Sequence, residues 1–374
     1  MKTYKWFLML LVAGVIVACG SDPEEELLGD WQRRAIFPEG ERSHTAYFVI
    51  GDKGYVCCGS NGGRGYLQLG RKEVYVFDHT TTGGSGSWRQ LSDFPGARRQ
   101  QAVGFSANGF GYIGTGWDGD QTVMSDFWRY NTATDTWDSI APLPAKARRG
   151  AIAFSLTVDG KEYGYVGTGF SDYPENWYLQ DFWQFDPDGT TVGKNGEQLH
   201  GRWTPVQEYG GAKRAGAVVF VIDNKAYICT GINSSGSPSD FWVFDPNGTN
   251  LWTKKRPIND SNQDEDYDDD YKALPRSYGV AFTAPVEGKM RGHIALGSSN
   301  FTVWEYDHDA DLWTQRTSFY NYRVTQSRTG SIAFSFPNTE RAFVGLGLAG
   351  TTAYMDDLWE FIPMVEDYTY DDNQ

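Results

Sequence analysis

The 374-residue chain is poor in cysteine, histidine, basic charge and long apolar stretches. Four Cys are too few and too unevenly placed for a disulfide framework. Lys and Arg total 33 against 48 Asp and Glu, a net charge of −15. That balance excludes nucleic-acid binding through a bulk basic surface. The one long apolar run, Phe7–Ala18, is shorter than the roughly 20 residues of a membrane-spanning helix. What is abundant is Gly, at 44 residues, and Trp, at 14, with 16% aromatics overall. A disordered chain has few aromatics. Gly with so many Tyr, Phe and Trp predicts short strands and tight turns.

The N-terminus reads as an address. Lys2 and Lys5 precede the apolar run, which ends Ile16-Val17-Ala18-Cys19. This ending resembles the lipobox of bacterial lipoproteins. The resemblance implies a signal peptide over 1–18, lipidation of Cys19 and membrane attachment by the lipid anchor only. Residues 19–27 then form an acidic tether. The stretch Asp22–Glu26 is similar to the surface-export signal of lipoproteins in Bacteroidetes-type bacteria. The expected location is the cell envelope, as an outer membrane lipoprotein exposed at the surface. Cys57 and Cys58 are adjacent, so on a strand they point to opposite faces; with Cys229 they are expected to be buried free thiols.

The remainder repeats. Six segments begin with Arg and carry Phe six positions later: Arg42/Phe48, Arg99/Phe105, Arg148/Phe154, Arg214/Phe220, Arg276/Phe282 and Arg328/Phe334. Each is followed by a block such as Gly111-Tyr-Ile-Gly-Thr-Gly116, with His293 taking the aromatic place once. A third block reads Asp-Phe-Trp, as at Asp126, Asp181 and Asp240. A fourth begins at Trp88, Trp137, Trp203, Trp252 or Trp313. Each repeat predicts one four-stranded antiparallel sheet, whose two apolar faces are buried by radial packing of successive sheets.

The order of Arg, Gly, aromatic-pair and Trp blocks resembles the kelch family of β-propellers. The expectation is an all-β, six-bladed propeller over residues 28–363, followed by an acidic tail at 364–374. The last repeat lacks its fourth strand, and Leu28–Trp31 lies before the first Arg. The N-terminal strand is therefore expected to complete the last blade and close the ring.

Strand direction places all six register Arg on one face, at a mouth of the central channel. Arg42, Arg99, Arg148, Arg214, Arg276 and Arg328 are candidate ligand groups there, with Arg98 and Arg149 as near-duplicates. Two readings stand: repeat residues tied to carbonyls or acids between blades, or an electropositive pocket for an anionic ligand. The same face receives Trp117, Tyr173 and Trp177, aromatics outside the repeat positions. Asp118, Asp120 and Glu175 are its candidate acids. The spacing from fourth-strand Trp to the next Arg is 11 in four cases, but 24 from Trp252 to Arg276. This insertion brings Asp264, Asp266, Asp268 and Asp270 to the same face, as a solvated excursion, a cover for the ring or a weak Ca²⁺ candidate.

Fold does not supply function. The leading expectation is a monomeric, non-catalytic propeller that binds a glycan or protein partner, with no cofactor. The alternative is a carbohydrate-active enzyme of the sialic-acid epimerase or mutarotase type. A galactose-oxidase-like enzyme is disfavoured, because His44, His79, His200, His293 and His308 do not converge with Tyr and Cys in the repeat pattern.

Overall fold

A computed structural model of the chain describes residues 27–62, 70–172, 176–207, 209–260, 266–298, 300–319 and 327–366. The leader, Cys19 and most of the tether and tail lie outside these residues, as do Tyr173 and Glu175. Among the described residues there are six four-stranded antiparallel sheets. The helical segments are 3-10 turns, and none is long and apolar enough to cross a membrane.

Blade 1 is Ala46–Ile50, Lys53–Cys57, Val74–Asp78 and Ser87–Gln90. Blade 2 runs Val103–Ala107, Phe110–Gly114, Phe127–Asn131 and Thr136–Ile140. Blade 3 has Ile152–Val158 and Lys161–Gly167, then a long outer hairpin, Phe182–Val192 and Gln198–Val206. Blade 4 is Val218–Ile222, Lys225–Cys229, Trp242–Phe244 and Trp252–Lys254. Blade 5 is Val280–Val286, Lys289–Ala295, Val303–Asp307 and Leu312–Arg316. Blade 6 takes Ile332–Phe336, Arg341–Gly345 and Leu358–Glu366, and its outermost strand is Leu28–Arg33. Trp31 pairs with Phe361 across this closure, and Arg34 and Arg341 share Glu360 at 2.7 and 2.5 Å. The expected closing strand is therefore observed.

The repeat residues explain the packing. In blades 1 to 5 the Phe six places after the Arg stacks on the aromatic of its own second strand, from Phe48 on Tyr55 to Phe282 on His293. Its other side meets the next blade where that blade carries Gly. A Cβ on Gly111 would lie 2.2 Å from the Phe48 ring, and one on Gly164 2.1 Å from Phe105. The small residue opening each second block is the space that the neighbouring ring occupies.

Two closed rings of backbone hydrogen bonds then join the blades. In the first, the N–H of the Gly after each second strand donates to the carbonyl of the next blade's Arg. The set runs Gly59 to Arg99, Gly116 to Arg148, Gly169 to Arg214, Gly231 to Arg276, Gly297 to Arg328 and Gly347 to Arg42, at 2.6–2.9 Å. In the second, the residue two places after each Arg donates to its counterpart in the preceding blade. His44, Gln101, Gly150, Gly216, Tyr278 and Gly330 form this inner belt, at 2.7–3.0 Å, and His44 donates to Gly330 to complete it.

One local expectation fails. The second strand of blade 1 ends at Cys57, and Cys58 adopts a left-handed φ of 67°. Strand alternation therefore stops between the two cysteines, and their Sγ atoms lie 3.0 Å apart. Cys57, Cys58 and Cys229 are all buried, as expected, and no disulfide joins them in this structure.

Candidate functional site at the channel mouth

The six register Arg do not line the channel. Each is at most 1% exposed. The reason lies in the turn that ends every second strand. Cys58, Thr115, Thr168, Thr230, Leu296 and Leu346 all have φ between 55 and 67°, and the Gly after each is also left-handed. Two left-handed residues in succession turn a carbonyl into the blade, away from any strand partner. The Arg Nη1 donates to that carbonyl in all six blades, at 2.8–3.5 Å.

The Nε of Arg99, Arg148, Arg214 and Arg276 donates to the carbonyl two residues before it, at 2.9–3.1 Å, and other Nη donors go to the third block. Arg99 is bidentate on Asp126, Arg148 on Asp181 and Arg328 on Asp357, at 2.7–2.9 Å. Arg214 pairs with Asp240. The same carboxylates accept the indole N–H of Trp128, Trp183, Trp359 and Trp242. Asp126, Asp181 and Asp240 are held below the usual carboxylate range by their Arg, against the opposing effect of burial. In blade 5 Thr302 replaces the acid, and in blade 1 Glu73 does, at 3.5 Å from Arg42. The anionic-ligand reading of Arg42, Arg99, Arg148, Arg214, Arg276 and Arg328 is thus corrected. They are clamps on the turn carbonyls, and in four blades an Asp braces the guanidinium.

The side chains that reach the axis come from the inner belt. All six belt residues are left-handed, with φ of 51–64°, and three are Gly. The other three, His44, Gln101 and Tyr278, supply the only belt side chains. A Cβ on Gly330 would lie 2.5 Å from the His44 ring. One on Gly216 would lie 2.8 Å from the Tyr278 ring, and one on Gly150 3.1 Å from the Tyr278 hydroxyl. The two rings therefore lie across the glycine positions of neighbouring blades, 5.8 Å apart. Beneath them is a cavity of about 220 Å³ along the first strands, lined by His44, Gln101, Tyr278 and Tyr47 among small residues.

Arg149, one residue before the belt, brings a guanidinium to this mouth, with its side chain 22% exposed. Nε and Nη2 donate to Asp172 at 2.9 and 3.1 Å, and Nη1 donates to Gln101 Oε1 at 2.9 Å. These use three of its five N–H groups. Its guanidinium lies 5.1 Å from the Trp117 ring centre and 5.3 Å from that of Phe170. Burial, then the charge of Arg149, lowers the His44 pKa to about 4, so the imidazole is neutral at neutral pH. Ser43 Oγ lies 3.0 Å from its Nδ1. Burial raises the Tyr278 phenol and pushes Tyr47 up to about 12, so both stay protonated.

The other expected residues divide. Trp117 joins this site. Trp177 is 57% exposed, on the short hairpin of Phe170–Ser171 with Trp177–Tyr178, with Lys146 Nζ 4.8 Å from its ring centre. Tyr173 and Glu175 lie outside the described residues. Asp118 accepts the backbone N–H groups of Asp120, Gln121 and Thr122, so it braces a turn. Asp264 and the Asp266 side chain also fall outside the described set. Asp268 is buried and Asp270 exposed, and the described residues gather no metal-binding cluster. Just beyond, Tyr271 packs into the core between blades 4 and 5, its hydroxyl accepting the Trp313 N–H at 2.6 Å. The inserted loop thus returns to the blade interface.

His44, Gln101 and Tyr278 were not singled out as a set by sequence reasoning. Their signal was present: the second position after each register Arg is Gly in three copies and a large polar residue in the other three.

Comparison with known proteins fits this architecture. The kelch motif is matched at residues 116–144 and 213–258. N-acetylneuraminate epimerase of Pasteurella multocida is 27% identical over 35% of this chain, and the match spans 32% of that protein. The Shigella sonnei enzyme of the same name is 25% identical over 52% of this chain and 58% of its own length. An Escherichia coli one is 24% identical over 79% of this chain and 86% of its own. The chain thus spans less than two thirds of the first two relatives. The solved structure of YjhT superposes with a TM-score of 0.61 at 16% identity, over 87% of this chain and 95% of that one. The chain is thus an all-β propeller of six Arg-clamped sheets that carries kelch motifs in its second and fourth blades.

Proposed function

We propose that the channel mouth binds a carboxylated sugar and that the chain is a carbohydrate-active enzyme of the sialic-acid epimerase type. The observation that carries this is the grouping of Gln101, His44 and Tyr278 at a cavity of about 220 Å³, with Arg149 bonded to Gln101 beside it. Arg149 keeps two N–H groups for a ligand carboxylate. Trp117 offers a flat apolar face beside it. Inverting the anomeric centre of a cyclic sugar acid requires one group to take the anomeric hydroxyl proton and another to protonate the ring oxygen. His44, neutral at working pH, is the acceptor in this reading. Tyr278, held in its protonated form, is the donor. The relatives' name supports the same substrate class. Attachment to the cell envelope through Cys19 belongs to the same proposal.

The test is the interconversion of N-acetylneuraminate anomers followed by proton NMR, with binding measured by calorimetry. The wild-type chain should accelerate the exchange saturably. Arg149→Ala should weaken binding about tenfold or more, the loss of a charge-assisted pair. His44→Ala should retain binding and lose the acceleration. Binding without acceleration in the wild type would make the mouth a sugar-acid receptor instead. Absence of both would remove the proposal.

A further inference from the structure

The six turns that end the second strands share one backbone shape but not one lock. In blades 2, 3, 4 and 6 an Arg–Asp pair holds the turn carbonyl. Blade 1 has a weak version. Arg42 reaches Glu73 only at 3.5 Å, and Glu73 is shared with Arg71 at 2.7 Å. Arg42 Nε and Nη2 find no partner among the described residues. This is also the blade whose turn carries Cys58, where blades 2, 3 and 4 carry Thr115, Thr168 and Thr230.

We propose that Cys57 and Cys58 form a vicinal disulfide that locks this turn covalently. Neighbouring Cα atoms are about 3.8 Å apart, closer than in ordinary disulfides, so closure between adjacent cysteines requires a sharply turned backbone. The left-handed Cys58 supplies that turn and brings the Sγ atoms to 3.0 Å. The same residue offers its carbonyl to Arg42. Arg42 meets that carbonyl at 3.1 Å, but the guanidinium is itself anchored to its acid only at 3.5 Å, so a covalent ring at Cys57–Cys58 fixes the acceptor from its own side.

The bond forms before the blade closes. In the folded protein both thiols are fully buried, and burial raises the Cys57 thiol, which leaves little thiolate. In the open chain one cysteine thiolate attacks a small-molecule or protein disulfide, giving a mixed disulfide and one free thiol. The second thiolate displaces the remaining half. One S–S bond forms, the oxidant's S–S bond becomes two thiols, and the two cysteine protons pass to them.

The full chain is refolded from urea with glutathione disulfide or with excess reductant, then denatured and alkylated with N-ethylmaleimide. The oxidised sample should carry two fewer adducts. A single peptide holding both cysteines should be about 2 Da lighter than its dithiol form. Its urea midpoint should exceed that of the reduced sample. Cys58→Thr installs the residue that three other blades use, and should fold with a midpoint indifferent to oxidant. Equal adduct counts in the two samples would overturn the proposal, as would linkage of either cysteine to Cys229. A vicinal bond that left the midpoint unchanged would overturn its role as the lock.

Discussion

The Arg clamps and the inner belt sit two residues apart in every repeat, yet they behave in opposite ways. The clamp position is Arg in all six copies, and each guanidinium is buried against a turn carbonyl. The belt position has one backbone conformation in all six copies but four residue types. The clamp is uniform because every blade poses the same problem, an inward carbonyl with no strand partner. The belt varies because six side chains cannot all occupy one axis. Where the chain repeats, it is building the ring; where it departs from repetition at a shared backbone position, it fills the channel with particular chemistry.

The sharpest way to break this contrast is to remove a cation from each region. Arg328 and Asp357 are both almost fully buried, so Arg328→Ala strands a carboxylate and a carbonyl inside blade 6. The expected cost is about 3–5 kcal/mol, read as a lower urea midpoint. Arg149→Ala removes a cation at the mouth whose partner Asp172 remains near solvent. Its expected cost is about 1 kcal/mol or less, while sugar-acid binding falls. Equal destabilisation by the two would erase the distinction between clamp and site.

A smaller effect probes the belt. Gly330→Ala would place a Cβ against the His44 ring at a left-handed φ of 64°. The expected cost is about 1–2 kcal/mol. His44→Gly in the same chain should recover the part due to the ring and leave the part due to φ. A double-mutant cycle on urea midpoints separates the two. No coupling would mean that the ring does not rest on Gly330.

How much of this was legible in the sequence differs between the two regions for the same reason. The blade order, the strand-four Trp and the N-terminal closure follow from spacing, because a repeat announces itself by recurrence. The same recurrence misled at the clamp. Six Arg at one register mark one structural role, and their burial depends on the left-handed Thr-Gly turn, whose φ no composition reveals. Cys57 and Cys58 failed likewise, because strand alternation was extended one residue too far. At the mouth, Trp117 and Arg149 were visible as departures from the pattern. The Arg149–Gln101 bond was not, since it joins blades 3 and 2 across 48 residues of sequence.

Titration separates the regions without mutation. His44 is lowered from its ordinary value to about 4 by burial and Arg149. Between pH 6.5 and 4 the unfolded chain therefore binds a proton that the folded chain refuses. Its contribution is full above pH 6.5 and is lost as pH falls toward 4. Glu305, buried in blade 5 beside Arg316 and His293, has its pKa lowered to about 2, so its contribution fades only from the ordinary Glu range downward. Urea midpoints against pH should show the first loss before the second, and His44→Gln should shrink the first, with His79 and His293, whose pKa values burial also lowers, supplying the remainder. A wild-type curve flat between pH 6.5 and 5 would show that His44 is not held neutral.

The smallest effect belongs to Trp177. Its ring is more than half exposed and touches Lys146 rather than the cavity. Trp177→Ala should shift stability by about 0.5 kcal/mol or less, since its removal strands no buried polar group. If the ligand is a single sugar acid held at Arg149, binding should be unchanged. If the ligand is longer, the residues beyond the first sugar must run outward over this rim, and Trp177→Ala should weaken a sialylated oligosaccharide while sparing the monosaccharide. Comparing the two ligands on the same variant thus measures how far the site extends from the belt, which the repeat pattern alone leaves open.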